Sequence, residues 1–124
     1  MARVLLIDDD QASLDYMEQV LRLDGHEFAW AADGTQGLAL VEQFRPELVV
    51  CDVVMPRLGG YAVLETVRAN PQTSRVPVLL FSAFMDDEAR AIALRRGATE
   101  VLAKPFDLES LRAAIGRCLG QEPR

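Results

Sequence analysis

This chain of 124 residues is short of most features that assign a protein to a class at sight. It has two cysteines, Cys51 and Cys118, in neither a CxxC pair nor a zinc spacing. That excludes a disulfide framework and a structural zinc site, and two reduced, packed thiols are expected. No apolar stretch is long enough to cross a membrane. The first residues read as a strand and not a signal peptide, because the apolar run is short and ends in acids. A cytoplasmic protein with no membrane association is the expectation. No P-loop and no GxGxxG is present, so a nucleotide is not implied. Positive charge is also in deficit: 13 Lys and Arg face 19 Asp and Glu, for a net charge of -6. Direct, non-specific nucleic-acid binding by this domain is therefore not expected. There is no internal repeat, low-complexity segment or domain boundary.

What the chain does have is a rhythm of short apolar runs and amphipathic stretches. RVLLI (3–7) reads as a strand buried on both faces, and SLDYMEQVLRLDG follows as a helix with Leu14, Met17 and Leu21 on one face. EFAWA (27–31) is a second strand, on which Trp30 is expected to pack. A turn at Asp33-Gly34 leads to a helix over 36–44, and ELVVCD (47–52) is a third strand. A loop over 53–60, with Gly59 and Gly60 serving its backbone, precedes a helix over 61–69. VPVLLFSA (76–83) is a fourth strand, with Pro77 at its start where a missing N–H is tolerated. A helix over 86–96 has Asp86 as N-cap and Gly97 as stop, and its Arg90, Arg95 and Arg96 read as a solvated face or a docking surface. TEVLA (99–103) is a fifth strand, and Leu108, Leu111, Ile115 and Leu119 trace a fifth helix. Five strands alternating with five helices predict an α/β fold, a doubly wound parallel sheet covered on both faces. Residues 1–120 form the domain, and 121–124 read as a tail or the start of a linker.

In such sheets ligands bind outside the carboxyl ends of the strands. The residues at those ends are Asp8 and Asp9 after the first strand and Asp52 after the third, with Ser82 after the fourth and Lys104 after the fifth. Three adjacent acids at 8–10 repel one another unless a metal, a lysine or a helix N-terminus offsets the cost. Asp10 reads as the start of the first helix. The remaining set suits phosphoryl transfer. Carboxylates hold a hard cation such as Mg2+, and a carboxylate can itself be the nucleophile. A lysine pairs with phosphate oxygen and a hydroxyl donates to it.

On these residues the sequence resembles a response-regulator receiver domain of two-component signalling. The resemblance runs from VLLIDDD through DVVMPRLGG and LLFSA to GATEVLAKPF, essentially the whole chain. It implies a flavodoxin-like strand order of 2-1-3-4-5. It implies that Asp52 accepts a phosphoryl group from a histidine kinase or a histidine phosphotransfer protein, and that Mg2+ or Mn2+ is held by Asp9, Asp52 and the Val54 backbone carbonyl, with Asp8 acting through water. By the same resemblance Ser82 is the switch hydroxyl and Lys104 the phosphate-pairing lysine, and the Lys104-Pro105 bond is cis. The chain would be a signalling protein that catalyses only its own phosphorylation and dephosphorylation. It would pass the signal to an output domain or partner through the fourth helix, fifth strand and fifth helix, with a phosphorylation-dependent dimer as one outcome. His26, at a helix-to-strand turn, is no donor histidine, so the chain reads as a receiver and not a kinase.

The pattern departs from the family in two places. The position three residues before Lys104, often Tyr or Phe, is Val101, which cannot swing a ring between buried and exposed states. The positions two past Asp52 and two past Ser82 are Val54 and Phe84. Apolar groups there exclude water, so a long-lived phospho-form is expected. Two rival readings stand beside this one. A metal-dependent phosphatase with an Asp nucleophile would want a second Asp where Val54 stands. An interaction module that has lost the chemistry is opposed by the intact acid, Ser and Lys set.

Overall fold

A computed structural model describes residues 1–120. The expected tail at 121–124 lies outside the described residues. The elements run β1 (Arg3–Ile7), α1 (Gln11–Leu23), β2 (Glu27–Ala31), α2 (Gly34–Phe44), β3 (Leu48–Asp52), α3 (Gly60–Ala69), β4 (Val78–Ser82), α4 (Asp87–Arg95), β5 (Glu100–Ala103) and α5 (Leu108–Cys118). All strand pairs are parallel, and the sheet order is β2-β1-β3-β4-β5.

Alternation along the strands sorts side chains into two cores. Val4, Leu6, Val50, Leu79 and Phe81 point to one face, which α1 and α5 cover with residues such as Met17, Leu21, Leu111 and Ile115. Leu5, Ile7, Val49, Cys51 and Leu80 point to the other, covered by α2, α3 and α4. Both faces of each central strand are therefore apolar, which is why these strands read as unbroken apolar runs. Both thiols are free and buried, as expected. Among the described residues no helix is long and apolar enough to cross a membrane.

Helix starts depart from the sequence reading because capping acts one turn earlier than apolar periodicity does. The α1 helix begins at Gln11, two residues ahead of the apolar pattern, because Asp10 accepts from the Ala12 N–H at 3.2 Å and from the Ser13 hydroxyl at 3.0 Å. The α2 helix begins at Gly34 because Asp33 accepts from the Gln36 N–H at 2.8 Å. Asp86 caps α4 as expected, accepting from Ala89 at 2.8 Å. The fourth strand is shorter than 76–83 and spans Val78–Ser82.

Trp30 corrects the sequence reading. It is 48% exposed, not packed, because β2 is an edge strand and its ring lies at the sheet margin. The basic stretch on α4 is exposed at Arg90, Arg95 and Arg96, as the solvated-face reading expects, and two of the three also hold partners. Arg96 pairs with Glu65 at 2.8 Å and lies 4.0 Å over the Tyr61 ring, and Arg90 donates to the Val101 carbonyl at 3.2 Å.

Gly60 opens α3 directly against the end of β3. A Cβ there would run into the Asp52 carbonyl and lie 2.8 Å from the Val53 Cα, both backbone atoms that cannot yield. Gly60→Ala is expected to destabilise the domain by about 1–3 kcal/mol, as overpacking of a tight site does. A urea-unfolding midpoint that does not fall would contradict this. His26 supplies a pH dependence at the opposite end of the sheet. Its Nδ1 accepts the Ala2 N–H at 3.0 Å, and burial, with the N-terminal charge adding to it, holds its pKa below the ordinary value of 6.5. The neutral ring is therefore the one the fold favours. Its contribution is whole above 6.5 and is lost as pH falls through the lowered value. Between pH 7 and pH 5 the wild type should lose more stability than His26→Gln, measured by urea unfolding at each pH.

Candidate functional site

The strand termini converge as the topology rule requires. Strands β1 and β3 are neighbours at the point where strand order reverses, so Asp8 and Asp52 emerge side by side at the carboxyl edge. Asp8 is fully buried and Asp52 nearly so, at 8% exposure. Asp9 follows on the exposed side, and one carboxylate oxygen each from Asp8, Asp9 and Asp52 lie within 4.8 Å of one another. Lys104 reaches in from beyond β5, two strands away from β3. Its Nζ donates to Asp8 Oδ2 at 3.1 Å and to Asp52 Oδ2 at 3.2 Å.

The other oxygen of each carboxylate accepts from backbone. Asp8 Oδ1 accepts the Asp10 N–H at 3.0 Å, and Asp52 Oδ1 accepts the Val54 N–H at 3.0 Å. Burial raises the Asp8 pKa, and it prevails over the lowering effect of the Asp10 N–H and of Lys104. For Lys104 burial opposes the charge, but the Asp8 and Asp52 carboxylates outweigh it and raise the pKa. Lys104 is held charged in this setting, with its ammonium 4.8 Å over the Phe81 ring.

Three carboxylates against one ammonium leave two negative charges if all are ionised. The donors are oxygens, the ligand type of hard divalent cations. The set Asp8, Asp9 and Asp52 therefore suits an ion such as Mg2+.

Ser82 ends β4 at 3% exposure, and its Oγ accepts the Phe84 N–H at 3.1 Å. The Lys104 backbone N–H donates to the Ser82 carbonyl at 2.8 Å, which ties these two residues together. The Lys104-Pro105 bond is cis. Val101 is buried, at 2% exposure, whereas Val54 and Phe84 are 70% and 80% exposed at the rim. Sequence reasoning did not find the Phe81 ring under Lys104, the close approach of Gly60 to Asp52, or the tie from Arg90 to Val101. Each depends on register between distant elements, and only the glycine pair hinted at its role.

Comparison with known proteins agrees with this arrangement. Residues 4–116 match the family of the response regulator receiver domain. The DNA-binding dual master transcriptional regulator RpaA of Synechocystis is 33% identical over 124 residues, all of this chain but 52% of that protein. The chain thus spans about half the length of this relative. Protein PilH of Pseudomonas aeruginosa is 32% identical over 119 residues, 96% of this chain and 98% of that protein. The receiver domain of the sensor histidine kinase PA1611 of Pseudomonas aeruginosa superposes with a TM-score of 0.87 at 29% identity, covering 96% of this chain and 98% of the other. That structure holds a magnesium ion coordinated in its active-site cleft. With acids, hydroxyl and lysine gathered at the switch point of a 2-1-3-4-5 sheet, and with the family matched across nearly its whole length, this chain belongs to the response-regulator receiver domains of two-component systems.

Proposed function

We propose that this receiver takes a phosphoryl group onto Asp52 from a phosphohistidine of a histidine kinase or phosphotransfer protein. The observation that carries the reading is the Lys104 ammonium bridging Asp8 and Asp52, with Asp9 alongside. An Asp52 carboxylate oxygen attacks the phosphorus, the P–N bond breaks, and its electron pair stays on the donor imidazole. The Val54 N–H holds Asp52 in place for this attack. Lys104 leaves the carboxylates to pair with a phosphoryl oxygen, and the Ser82 hydroxyl donates to another. Asp9, Asp52 and the Val54 carbonyl would hold Mg2+ or Mn2+, with Asp8 behind them. When bound, the cation supplies neutralisation of charge on the transferring oxygens. The signal then passes to an output domain or partner through α4, β5 and α5, or into a dimer formed by that face.

The test is incubation with acetyl phosphate and Mg2+, or with beryllofluoride and Mg2+. With acetyl phosphate wild type should gain the mass of one phosphoryl group, with either reagent it should shift its amide spectrum, and Asp52→Asn should do neither. A response that survives Asp52→Asn would sink the assignment.

A second outcome follows from the rim. Val54 and Phe84 are exposed apolar groups where a polar side chain could orient water. The phospho-form should persist well beyond seconds, and Val54→Asn should shorten its life severalfold, read from the decay of labelled protein. Decay within seconds in wild type would count against the idea.

A further inference from the structure

We infer that Arg90 is the positioning residue that couples the Ser82 hydroxyl to the α4–β5–α5 face, in the role that residue 101 cannot fill here. The inference rests on the proposed phosphorylation of Asp52. Three observations carry it.

The first is how little apolar packing holds α4. Ala93 is its one fully buried side chain, Ala89 and Ile92 are only partly covered, and Leu94 is 46% exposed. An element with so few buried contacts is poised to move.

The second is that the two ends of α4 are held unequally. Beyond its C-terminal end Gly97, at φ +112, has its carbonyl bound by Arg68 Nε at 3.0 Å, and Arg68 also reaches the Val76 carbonyl at 2.6 Å. Arg96 adds the Glu65 ion pair and the Tyr61 stacking contact. The first turn has its own cap at Asp86, with Met85 packed against the core just before it, and the polar tie to the sheet is the hydrogen bond from Arg90 Nη1 to the Val101 carbonyl. The helix is thus pinned at one end and latched at the other.

The third is that the latch lies on the path from the site. Val101 is opposite Leu80 in the β4–β5 ladder, two residues before the Ser82–Ala103 pair. Ser82 Oγ holds the Phe84 N–H, and the segment after Phe84 runs directly into the Asp86 cap. A turn of Ser82 toward a phosphoryl group on Asp52 would pull this segment and load the latched end of α4. Val101, buried and without a rotatable ring, cannot relay that movement by its side chain. The Arg90 guanidinium can, by keeping or losing one hydrogen bond.

Linkage makes the inference testable. If the latch stabilises the unphosphorylated arrangement, removing it lowers the cost of the phosphorylated one, so a phosphoryl mimic must bind more tightly. Beryllofluoride with Mg2+ is titrated into the full chain and followed by amide NMR. Arg90→Met, which keeps the apolar stem without the donor, should reach half-saturation at about threefold to tenfold lower concentration, as loss of one hydrogen bond of ordinary strength implies. Arg90→Lys, which keeps a donor, should stay within about twofold of wild type on the same reasoning. A merely structural arginine would lower stability without tightening the mimic. Arg90→Met titrating like wild type, or Arg90→Lys and Arg90→Met shifting alike, overturns the latch while leaving the Asp52 assignment intact. No response in wild type overturns that assignment and the latch with it. Should Arg90→Met not fold, the wild-type guanidinium protons decide: their exchange with solvent should quicken at beryllofluoride saturation, and unchanged exchange overturns the latch.

Discussion

The Lys104 ammonium, 3.1 Å from Asp8 and 3.2 Å from Asp52, sets one positive charge against three carboxylates. Most of what is particular to this end of the molecule follows from that imbalance. Asp8 is wholly buried, and an ionised carboxyl there is tolerated only with full hydrogen bonding and a counter-charge. The Asp10 N–H and Lys104 provide them, and even so burial keeps the Asp8 pKa raised. Lys104 can serve because β5 ends level with β4, its backbone tied to the Ser82 carbonyl, and because the Phe81 ring lies beneath its ammonium. That ring is itself held edge-on to Phe106, with centroids 5.8 Å apart. The ends of β1, β3 and β5 are thus fixed to one another by charge as well as by the ladder.

The same imbalance explains why the adjacent acids are not one feature. Asp10 turns away to cap α1 and stabilises the helix start. Asp8 turns inward to the lysine, and Asp9 remains exposed beside the Asp52 carboxylate. Three neighbours in sequence meet three environments because a strand ends and a helix begins within their span.

Much of this was legible in the sequence. The runs at 3–7 and 27–31 mark β1 and β2 to the residue, because parallel strands leave few other readings for short apolar segments between turns. The acids, Ser82 and Lys104 could be grouped because a doubly wound sheet brings every strand's carboxyl end to one edge. What was not legible depends on two elements at once. Periodicity says that Trp30 is on a strand but not that the strand is an edge, so its exposure was missed. Helix starts were set by the Asp10 and Asp33 caps, which precede the apolar pattern. The Phe81 ring under Lys104 and the reach of Arg90 to Val101 need the β4–β5 register, which no local pattern carries.

Ser82 ends β4 at the acidic edge and holds the segment that leads into α4. Its Oγ spends an acceptor lone pair on the Phe84 N–H and still carries a proton to donate. Under the proposed phosphorylation of Asp52, a side-chain rotation that carries Oγ toward the phosphoryl group would move the acceptor of the Phe84 N–H. Phe84 itself is 80% exposed and offers little packing to resist being moved. Beneath it the strands are close-packed, so on that proposal displacement would travel outward along the segment leading to α4. On that proposal, a rigid sheet with buried charges at its edge and a thinly packed helix beyond would make movement of the helix the least costly response to added charge.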